Sequence, residues 1–266
     1  MELYTIVSVL RENSGVHDTL SRGRAVEVNM NSQVDRREVL RHRLSDSIDE
    51  GAARSIGNES FDAYDQSDHV DLPDDLLSEM HDLYPFHPVL LDALETRYYA
   101  DEGNQNTRGM IYLFSKVLLE MQDKTNLITH GDIDAIGFEG ELSKINYERL
   151  NAATGDIQNR IDSENVPHGR RILNTILLYS LKPSEGEGAK VSDIVMGAYQ
   201  AGDLVSDIVL NLEQLHGVAW HLHKLNGKYA IRNRQNPNAL IRNAATDVSE
   251  TAAKAEIADF ITDIFG

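Results

Sequence analysis

The spacing of apolar and polar positions changes along the chain and divides it into segments. Near the start, "LYTIVSVL" and "AVEVNM" are β-branched runs without a helical period. They predict two strands joined by the polar turn "RENSGVHDTLSRGR". A two-stranded pair is marginal alone. Either other chains complete the sheet or the pair is the end of a larger sheet in a longer chain, and we expect the second.

A helical period begins at "SQVDRREVLRHRLSDSI" and is interrupted once. The part from Gly51 to Val70 lacks apolar rhythm and predicts a loop. Helices are predicted in "PDDLLSEMHDLY" from Pro73, in "PVLLDALETRYY" from Pro88, and in "TRGMIYLFSKVLLEM", capped by Asn106 or Thr107. The last has a core stripe of Met110, Ile111, Leu113, Phe114, Val117, Leu118 and Met121. A short turn or helix, "NLITHGDIDAIGF", follows.

The last third has a different pattern. "RRILNTILLYSL" predicts a helix, and "VSDIV" occurs at 191 and 205, each with a serine that we expect to cap a helix starting at the aspartate. "GVAWHLHKLNGKYAIRNR" predicts a hairpin turning at Asn226-Gly227. Three helices and a hairpin are the order of a winged helix. Two more helices are predicted at the C-terminus, and their Ile257, Phe260, Ile261 and Ile264 need a covering surface.

Composition limits the partners. The net charge of −18 argues against a general nucleic-acid coat or an anionic membrane surface, so any basic contact must be local. Only eight of the 25 basic residues are lysine, a balance resembling that of proteins from salt-loving archaea; an ordinary acidic protein is the alternative. The chain has no cysteine and no apolar run of about 18 residues, which predicts a soluble cytoplasmic protein without membrane contact.

No catalytic motif is evident. "EGEGAK" has the glycines and lysine of a phosphate-binding loop at the wrong spacing, so without a Walker A motif we expect no ATP binding by this chain alone. His216, His221 and His223 have no carboxylate or cysteine companion in the pattern, which favours exposed strand residues over a metal site. We therefore expect no metal and no cofactor held by this chain alone.

Three arginines are candidates for phosphate contacts. Arg108 opens an apolar helix, where the helix dipole disfavours a cation by roughly 0.3–1 kcal/mol, whereas a phosphate would meet the guanidinium and the backbone N–H groups together. Arg22 and Arg24 lie in the turn before the second strand. The alternatives are a solvent-exposed arginine and a simple charged turn.

The charges of the winged-helix segment point in two directions. The would-be recognition helix, Asp203 to His216, carries three acids and no lysine or arginine. The hairpin carries four basic residues and no acid, which makes it the candidate DNA-binding element: Lys224, Lys228, Arg232 and Arg234. Because the helix would repel phosphate while the hairpin attracts it, protein docking remains the rival use.

Taken in order, these elements resemble the second half of an AAA+ ATPase of the origin-recognition (Orc-like) layout. "SRGRAVEVNM" resembles the arginine-bearing turn and last core strand, and "NTRGMIYLFSKVLLEM" the sensor 2 helix. "YPFHPVLLDAL" and "AWHLHKLNGKYAIR" are similar to the large ATPases of BREX-type phage defence (the BrxC/PglY group) and uncharacterised archaeal relatives. The resemblance implies that Arg108 touches ATP, that Arg22 or Arg24 reaches a neighbouring subunit's nucleotide, and that ATP and Mg are cofactors of the whole ATPase.

A mainly α fold follows from these expectations, with remnant β strands, a helical lid and a winged helix. The boundaries are the end of an AAA+ core at 1–30, the lid at 31–140, a polar helical connector at 141–167, the winged helix at 168–235 and C-terminal helices at 236–266. The expected role is nucleotide sensing and interaction with other AAA+ subunits or defence proteins, with ATPase activity only in a longer chain. The alternative is a free-standing winged-helix DNA-binding or adaptor module.

Overall fold

The protein is mainly helical, as the sequence predicts. The computed structural model describes residues 49–97, 105–122, 124–182, 188–247 and 249–265; the predicted strands within 1–30 lie outside them. The elements are α1 (Glu50–Asp65), α2 (Leu76–Asp82), α3 (Pro88–Arg97), α4 (Gln105–Met121), a 3₁₀ turn (His130–Asp132), α5 (Glu139–Asp156), a π turn (Ile157–Ile161), α6 (Asp162–Glu164), α7 (Gly169–Ser180), α8 (Val191–Ala198), α9 (Val205–Val218), β1 (Leu222–Leu225), β2 (Lys228–Ile231), α10 (Pro237–Asp247) and α11 (Glu250–Phe265). None of these helices has the length and apolar character that crossing a bilayer requires.

Helix α1 corrects the loop predicted from Gly51 to Val70. Its buried face consists of Ala53, Gly57, Ser60 and Tyr64, which recur at helical spacing. Three of these side chains are too small to register as an apolar stripe. The Asp49 carboxylate caps the helix by accepting the Ala52 N–H at 2.9 Å. A small-residue face therefore packs where the sequence predicts no structure.

The starts of the next helices agree with the sequence in part. Helix α3 begins at Pro88 as predicted, because a proline lacks the N–H that a first helical position would leave unsatisfied. Helix α2 begins at Leu76, three residues after Pro73. Helix α4 already includes Gln105, so Asn106 and Thr107 lie inside the helix and the predicted cap at either residue is wrong.

The predicted polar connector is helical, and one side of it is buried. Leu142, Leu150, Ala153 and Ile157 are at most 1% exposed, and this side packs against α7 and β2. Inside α5 the chain kinks at Asn146, whose side-chain amide donates to the Leu181 carbonyl at 3.1 Å. The segment therefore contributes to the core, while the domain boundary near Pro167 remains a prediction.

Helix α7 lies at the centre of the protein and contacts the 3₁₀ turn, α5, α8, α9 and β2. Its buried Asn174 makes two hydrogen bonds to the segment around the 3₁₀ turn. The side chain donates to the Gly131 carbonyl at 3.1 Å and accepts the Ala135 N–H at 3.1 Å. The buried apolar residues form one cluster that extends from Tyr64 to Ile231. This arrangement connects the first described helices to the hairpin.

Helices α8 and α9 begin two residues earlier than the repeated "VSDIV" predicts, at Val191 and Val205. The serines are therefore inside the first turn and not at the cap. In the first copy the Asp193 carboxylate accepts the Lys190 N–H at 2.8 Å, and the serine hydroxyl of Ser192 accepts the Asp71 N–H at 3.1 Å. Because Asp193 supplies the hydrogen bond at the start of the helix, the hydroxyl of Ser192 is available for a contact with a distant segment.

The predicted hairpin is present. β1 and β2 are antiparallel, with Leu222 opposite Ile231 and Leu225 opposite Lys228. Asn226 and Gly227 both have positive φ, 50° and 77°, as a type I′ turn requires. Between α7 and α8, Ala189 adds an antiparallel bridge to the outer edge of the hairpin at Tyr229, with two hydrogen bonds of 2.8 Å.

Candidate functional site

One of the three arginines predicted to contact nucleotide lies within the described residues. Arg22 and Arg24 are outside them. Arg108 is the fourth residue of α4, where the structure describes its backbone, and the first turn of α4 contains no acidic residue. The predicted role of this position in sensing a nucleotide remains a prediction.

One face of the C-terminal two thirds of α4 packs in the core. Leu113, Phe114 and Val117 of the predicted stripe are at most 4% exposed, and the Phe114 ring packs edge-to-face on Phe86 at 4.9 Å. Lys116 is paired with Glu141 of α5 at 3.0 Å. At 1.5 Å per residue, Arg108 lies about 9 Å along the helix axis from Phe114, toward the N-terminal end. The core therefore fixes the direction in which this end of α4 points.

Helix α7 also begins with arginines, which the helix dipole disfavours at this end, and here carboxylates balance their charge. Arg170 donates through Nε to Asp162 at 2.8 Å and Arg171 is 2.8 Å from Asp203. The hydrogen bond from Arg170 lowers the pKa of Asp162. In this helix each first-turn arginine has a carboxylate partner, so its positive charge is already balanced by a side chain of the protein.

A second polar group surrounds Asp132 at the 3₁₀ turn. Its Oδ2 accepts the Thr129 N–H at 2.8 Å and the Thr129 hydroxyl at 3.1 Å, while Oδ1 accepts from the Gln200 side chain at 2.8 Å. Burial raises the pKa of Asp132, although the Thr129 hydrogen bonds and the Arg171 charge act in the opposite direction. Both carboxylate oxygens of Asp132 are therefore occupied by hydrogen bonds within the protein. These bonds connect the 3₁₀ turn to the loop after α8.

Tyr64, His87 and Tyr199 form a buried aromatic cluster. The two tyrosine rings meet edge-to-face at 5.2 Å, and Tyr64 Oη lies 3.5 Å from His87 Nε2. The Val89 N–H donates to His87 Nδ1 at 3.2 Å, so Nε2 carries the proton and donates to the tyrosine. Burial lowers the pKa of His87 to about 3 and raises that of Tyr64. Both side chains are neutral near pH 7, which suits packing of α1 more than proton transfer.

The residues predicted to bind DNA lie on or beside the hairpin, and the structure gives one of them an acidic partner. Lys224 Nζ is 2.9 Å from Glu213 of α9 and lies over the Tyr229 ring. Tyr229 Oη also donates to Glu213. Hydrogen bonds from Lys224 and Tyr229 lower the pKa of Glu213, and the pKa of Lys224 is raised in return. The positive charge of Lys224 is therefore largely neutralised.

The other three basic residues differ in exposure. Arg234 is exposed, whereas Lys228 and Arg232 are half-buried. The neighbouring outer face of α9 presents Asp207, Leu210 and Glu213 to solvent, and Leu210 is 69% exposed. The surface formed by α9 and the hairpin is accordingly mixed in charge and partly apolar.

The three histidines of this region point to separate partners. His216 packs edge-to-face on Tyr229 at 5.9 Å, His221 Nδ1 lies 3.0 Å from Asp156, and His223 Nε2 donates to the Arg234 carbonyl at 2.9 Å. Within the part of the chain that the structure describes, no group of three or more histidine, aspartate or glutamate side chains is placed to hold a metal ion.

Asp156 is a buried polar side chain whose structural role the sequence pattern does not indicate. It is fully buried at the end of α5 and accepts the backbone N–H groups of Trp220 and His221 at 3.1 and 2.8 Å. Together with the His221 ring, these contacts anchor the first residues of the hairpin. The only signal in the sequence is an aspartate placed after small, apolar helix residues, which does not separate it from the many exposed acids.

Comparison with known families gives one match. A family model described as DUF499 second domain matches residues 32–142. The match covers less than half of the chain and includes α1 to α4 and the 3₁₀ turn. No curated protein and no solved structure matches the chain.

Proposed function

We propose that this chain is the lid and winged-helix portion of a P-loop ATPase of phage-defence type, with a role in nucleotide sensing and interaction and no catalysis alone. The observation that carries the proposal is the order of the described elements: a helical bundle containing α4, followed by α7, α8, α9 and a hairpin. The isolated bridge between Ala189 and Tyr229 lies between α7 and α8, where a winged helix places a short third strand, and it supports this order. The description "second domain" supports a domain that follows another one.

Arg108 is the residue assigned to nucleotide sensing in this proposal. The first turn of α4 contains no acidic residue, and neither does that of α7, whose two first-turn arginines are paired with Asp162 and Asp203 from other segments. An anion at the start of α4 would meet backbone N–H groups and a guanidinium together. ATP and Mg would be held by a P-loop core outside this chain, against which the start of α4 docks.

The first test uses the chain alone. Titration with MgATP, followed by calorimetry, is expected to show no saturable binding below about millimolar concentration, because no Walker A sequence is present. Tight binding would contradict the proposal, since this chain would then contain a nucleotide site of its own.

The second test concerns Arg108 in the presence of a P-loop core, supplied as the longer gene product or as a separate chain. Removing a sensor arginine is expected to lower the rate of ATP hydrolysis by about 10-fold or more, as for other transition-state charge contacts. Arg108→Ala is therefore compared with Arg54→Ala, an exposed arginine on α1. Equal rates for both variants would remove Arg108 from the mechanism.

The second candidate function is a free-standing winged-helix module, and the charges of α9 favour a protein over DNA as its partner. Glu213 holds Lys224, and Asp207 stands on the same outward face as Leu210. Glu213→Gln would release Lys224 and is expected to raise affinity for duplex DNA in low salt, with wild type binding weakly. Strong binding of DNA by wild type, lost in a Lys224→Ala variant, would instead favour the DNA-binding alternative.

A further inference from the structure

Helix α11 presents an apolar stripe to solvent, formed by Ala253, Ile257, Phe260 and Ile264 with Ile261 beside them. The four large side chains are between 51% and 66% exposed, and Ala253 is half-buried. Every other described side chain from 251 to 264 is exposed. A helix of 16 residues without tertiary support is only marginally stable in water. The apolar stripe therefore indicates a surface that another element covers.

A row of carboxylates, the acidic flank, runs along one side of the apolar stripe. Its members Glu256, Asp259 and Asp263 each precede a residue of the stripe by one position, so all three lie about 100° around the helix from it. All three are exposed, and within the described part of the chain none of them has a cationic partner. The opposite side of the stripe carries Lys254 and Ile261. The charge beside the stripe is therefore concentrated on one side and is negative.

The acidic flank discriminates between the possible partners of α11. A second α11 would bring four carboxylates and one lysine of its own, so like charges oppose pairing with another copy. The surface of an anionic membrane is disfavoured for the same reason. A helix with an apolar row and with lysine or arginine beside that row would cover the stripe and form ion pairs with the flank at the same time.

We propose that α11 is the docking site for a basic amphipathic helix of a partner protein, which covers the apolar stripe and pairs its lysine or arginine side chains with the acidic flank. The inference is independent of the proposed function, since it involves no nucleotide and no residue of α4 or of the hairpin. The stripe extends over only about three helical turns, so the contact is small. We expect a weak complex, with a dissociation constant in roughly the micromolar to millimolar range.

The probe is a synthetic helical peptide of about five turns, with leucines spaced as in the apolar stripe and arginines along one flank. The matched control is an acidic peptide with glutamate in place of each arginine. Fluorescence anisotropy of each labelled peptide, titrated with the whole chain, measures the affinity. The basic peptide is expected to bind, and to bind about 10-fold more weakly as salt rises from about 0.05 M to about 0.5 M, because screening shortens the range of the ion pairs. The acidic peptide is expected not to bind.

Variants of α11 test whether the peptide occupies the stripe and the flank. Phe260→Ser is expected to weaken binding of the basic peptide by about 10-fold or more, whereas Ala255→Ser, on the opposite side of α11, should leave it unchanged. The triple variant Glu256→Lys, Asp259→Lys and Asp263→Lys should lose the basic peptide and bind the acidic one. Urea unfolding of each variant checks that the core is still folded.

A second triple variant separates docking on α11 from a general attraction to an acidic protein. Asp62→Lys, Asp65→Lys and Asp68→Lys replace exposed acids in and just after α1, and they change the net charge by the same amount. This variant is expected to retain the basic peptide. An equal loss of binding in the two triple variants would show that the peptide follows net charge alone and would overturn the proposal.

Two further outcomes would also contradict a basic partner helix. The first is binding of the basic peptide that Phe260→Ser does not weaken, because the apolar stripe would then take no part in it. The second comes from sedimentation equilibrium of the chain without peptide, for which we expect no dimer that depends on Phe260. A dimer that Phe260→Ser dissociates would assign the stripe to a second copy of the chain instead.

Discussion

Helices α7 and α11 are both rich in apolar residues, but they lie in opposite environments. Of the 12 residues of α7, ten are buried, whereas no described side chain of α11 is buried. The shorter helix is surrounded by the 3₁₀ turn, α5, α8, α9 and β2. The two helices therefore differ in burial because α7 has many neighbouring elements, and not because α7 alone is rich in apolar residues.

The polar side chains of Thr175 and Ser180 in α7 have hydrogen-bond partners inside the core. Thr175 donates to the Arg171 carbonyl at 2.8 Å and Ser180 to the Ile176 carbonyl at 2.6 Å, while Ser180 also accepts the Ile231 N–H at 2.9 Å. A buried hydroxyl without such partners would be destabilising by about 1–3 kcal/mol. These hydrogen bonds allow α7 to be buried from Ile172 to Ser180 despite its polar residues.

The largest effect is expected from truncating a side chain of α7. Leu177 is fully buried, and Leu177→Ala should lower the free energy of unfolding by about 2–5 kcal/mol, since it removes apolar contacts and leaves a cavity. Leu210→Ala is the matched control, because Leu210 is 69% exposed on α9. Urea unfolding measures both, and a similar loss for the two variants would contradict the difference in burial.

Gly197→Ala, at the place where α8 approaches α7, is expected to lower the free energy of unfolding by a smaller amount. A Cβ added there would lie 2.4 Å from Thr175 Cγ2. Overpacking of about 1–3 kcal/mol should exceed the roughly 1 kcal/mol that alanine gains over glycine in a helix. Gly155→Ala in α5 is the control, with no heavy atom within 4 Å of its added Cβ, and it should stabilise slightly. Thermal unfolding that ranks Gly197→Ala above Gly155→Ala would refute the close approach.

Acid should weaken the packing of α1 through His87. In the unfolded chain this histidine takes up a proton near its ordinary pKa of 6.5, whereas burial lowers the folded pKa to about 3. Between these values the unfolded state binds more protons, so stability falls as pH falls, by up to about 1.4 kcal/mol per pH unit. His87→Asn removes the titration; the difference between its pH profile and that of wild type should be confined to this window. Identical profiles would contradict a neutral buried histidine.

The smallest effect on folding is expected in α11. Phe260→Ala should change the free energy of unfolding of the dilute protein by no more than about 0.5 kcal/mol, because the side chain is 66% exposed. The measurement is urea unfolding at low protein concentration. A loss of stability as large as that of Leu177→Ala would show that α11 packs on the core, and would contradict the difference in burial between α7 and α11.

The elements that the sequence predicted well are those whose signal is local. The start of α3 at Pro88 and the hairpin turn at Asn226 and Gly227 follow from backbone preferences of single residues. The apolar stripe of α4 is confirmed at Leu113, Phe114 and Val117, where long side chains recur at helical spacing. Such signals need no knowledge of the rest of the chain.

The elements that the sequence did not predict depend on contacts between distant segments. Helix α1 is buried through small residues, and its Gly57 faces His81 of α2 at a distance that leaves no room for a Cβ. Asp156 looks like the other acids until the hairpin supplies three N–H donors. Of the candidate site, the sequence located the basic hairpin residues but not the pairing of Lys224 with Glu213, which lie 11 positions apart.

The sequence by itself determined that the protein is mainly helical, where its hairpin turns and that α4 carries an arginine in its first turn, because these properties follow from local period and from proline, asparagine and glycine. Only the tertiary structure decided that small residues bury α1, that carboxylates neutralise Arg170, Arg171 and Lys224, and that α7 is enclosed while α11 is not. Burial and charge pairing are properties of neighbours in space, and neighbours in space are set by the packing of the whole chain.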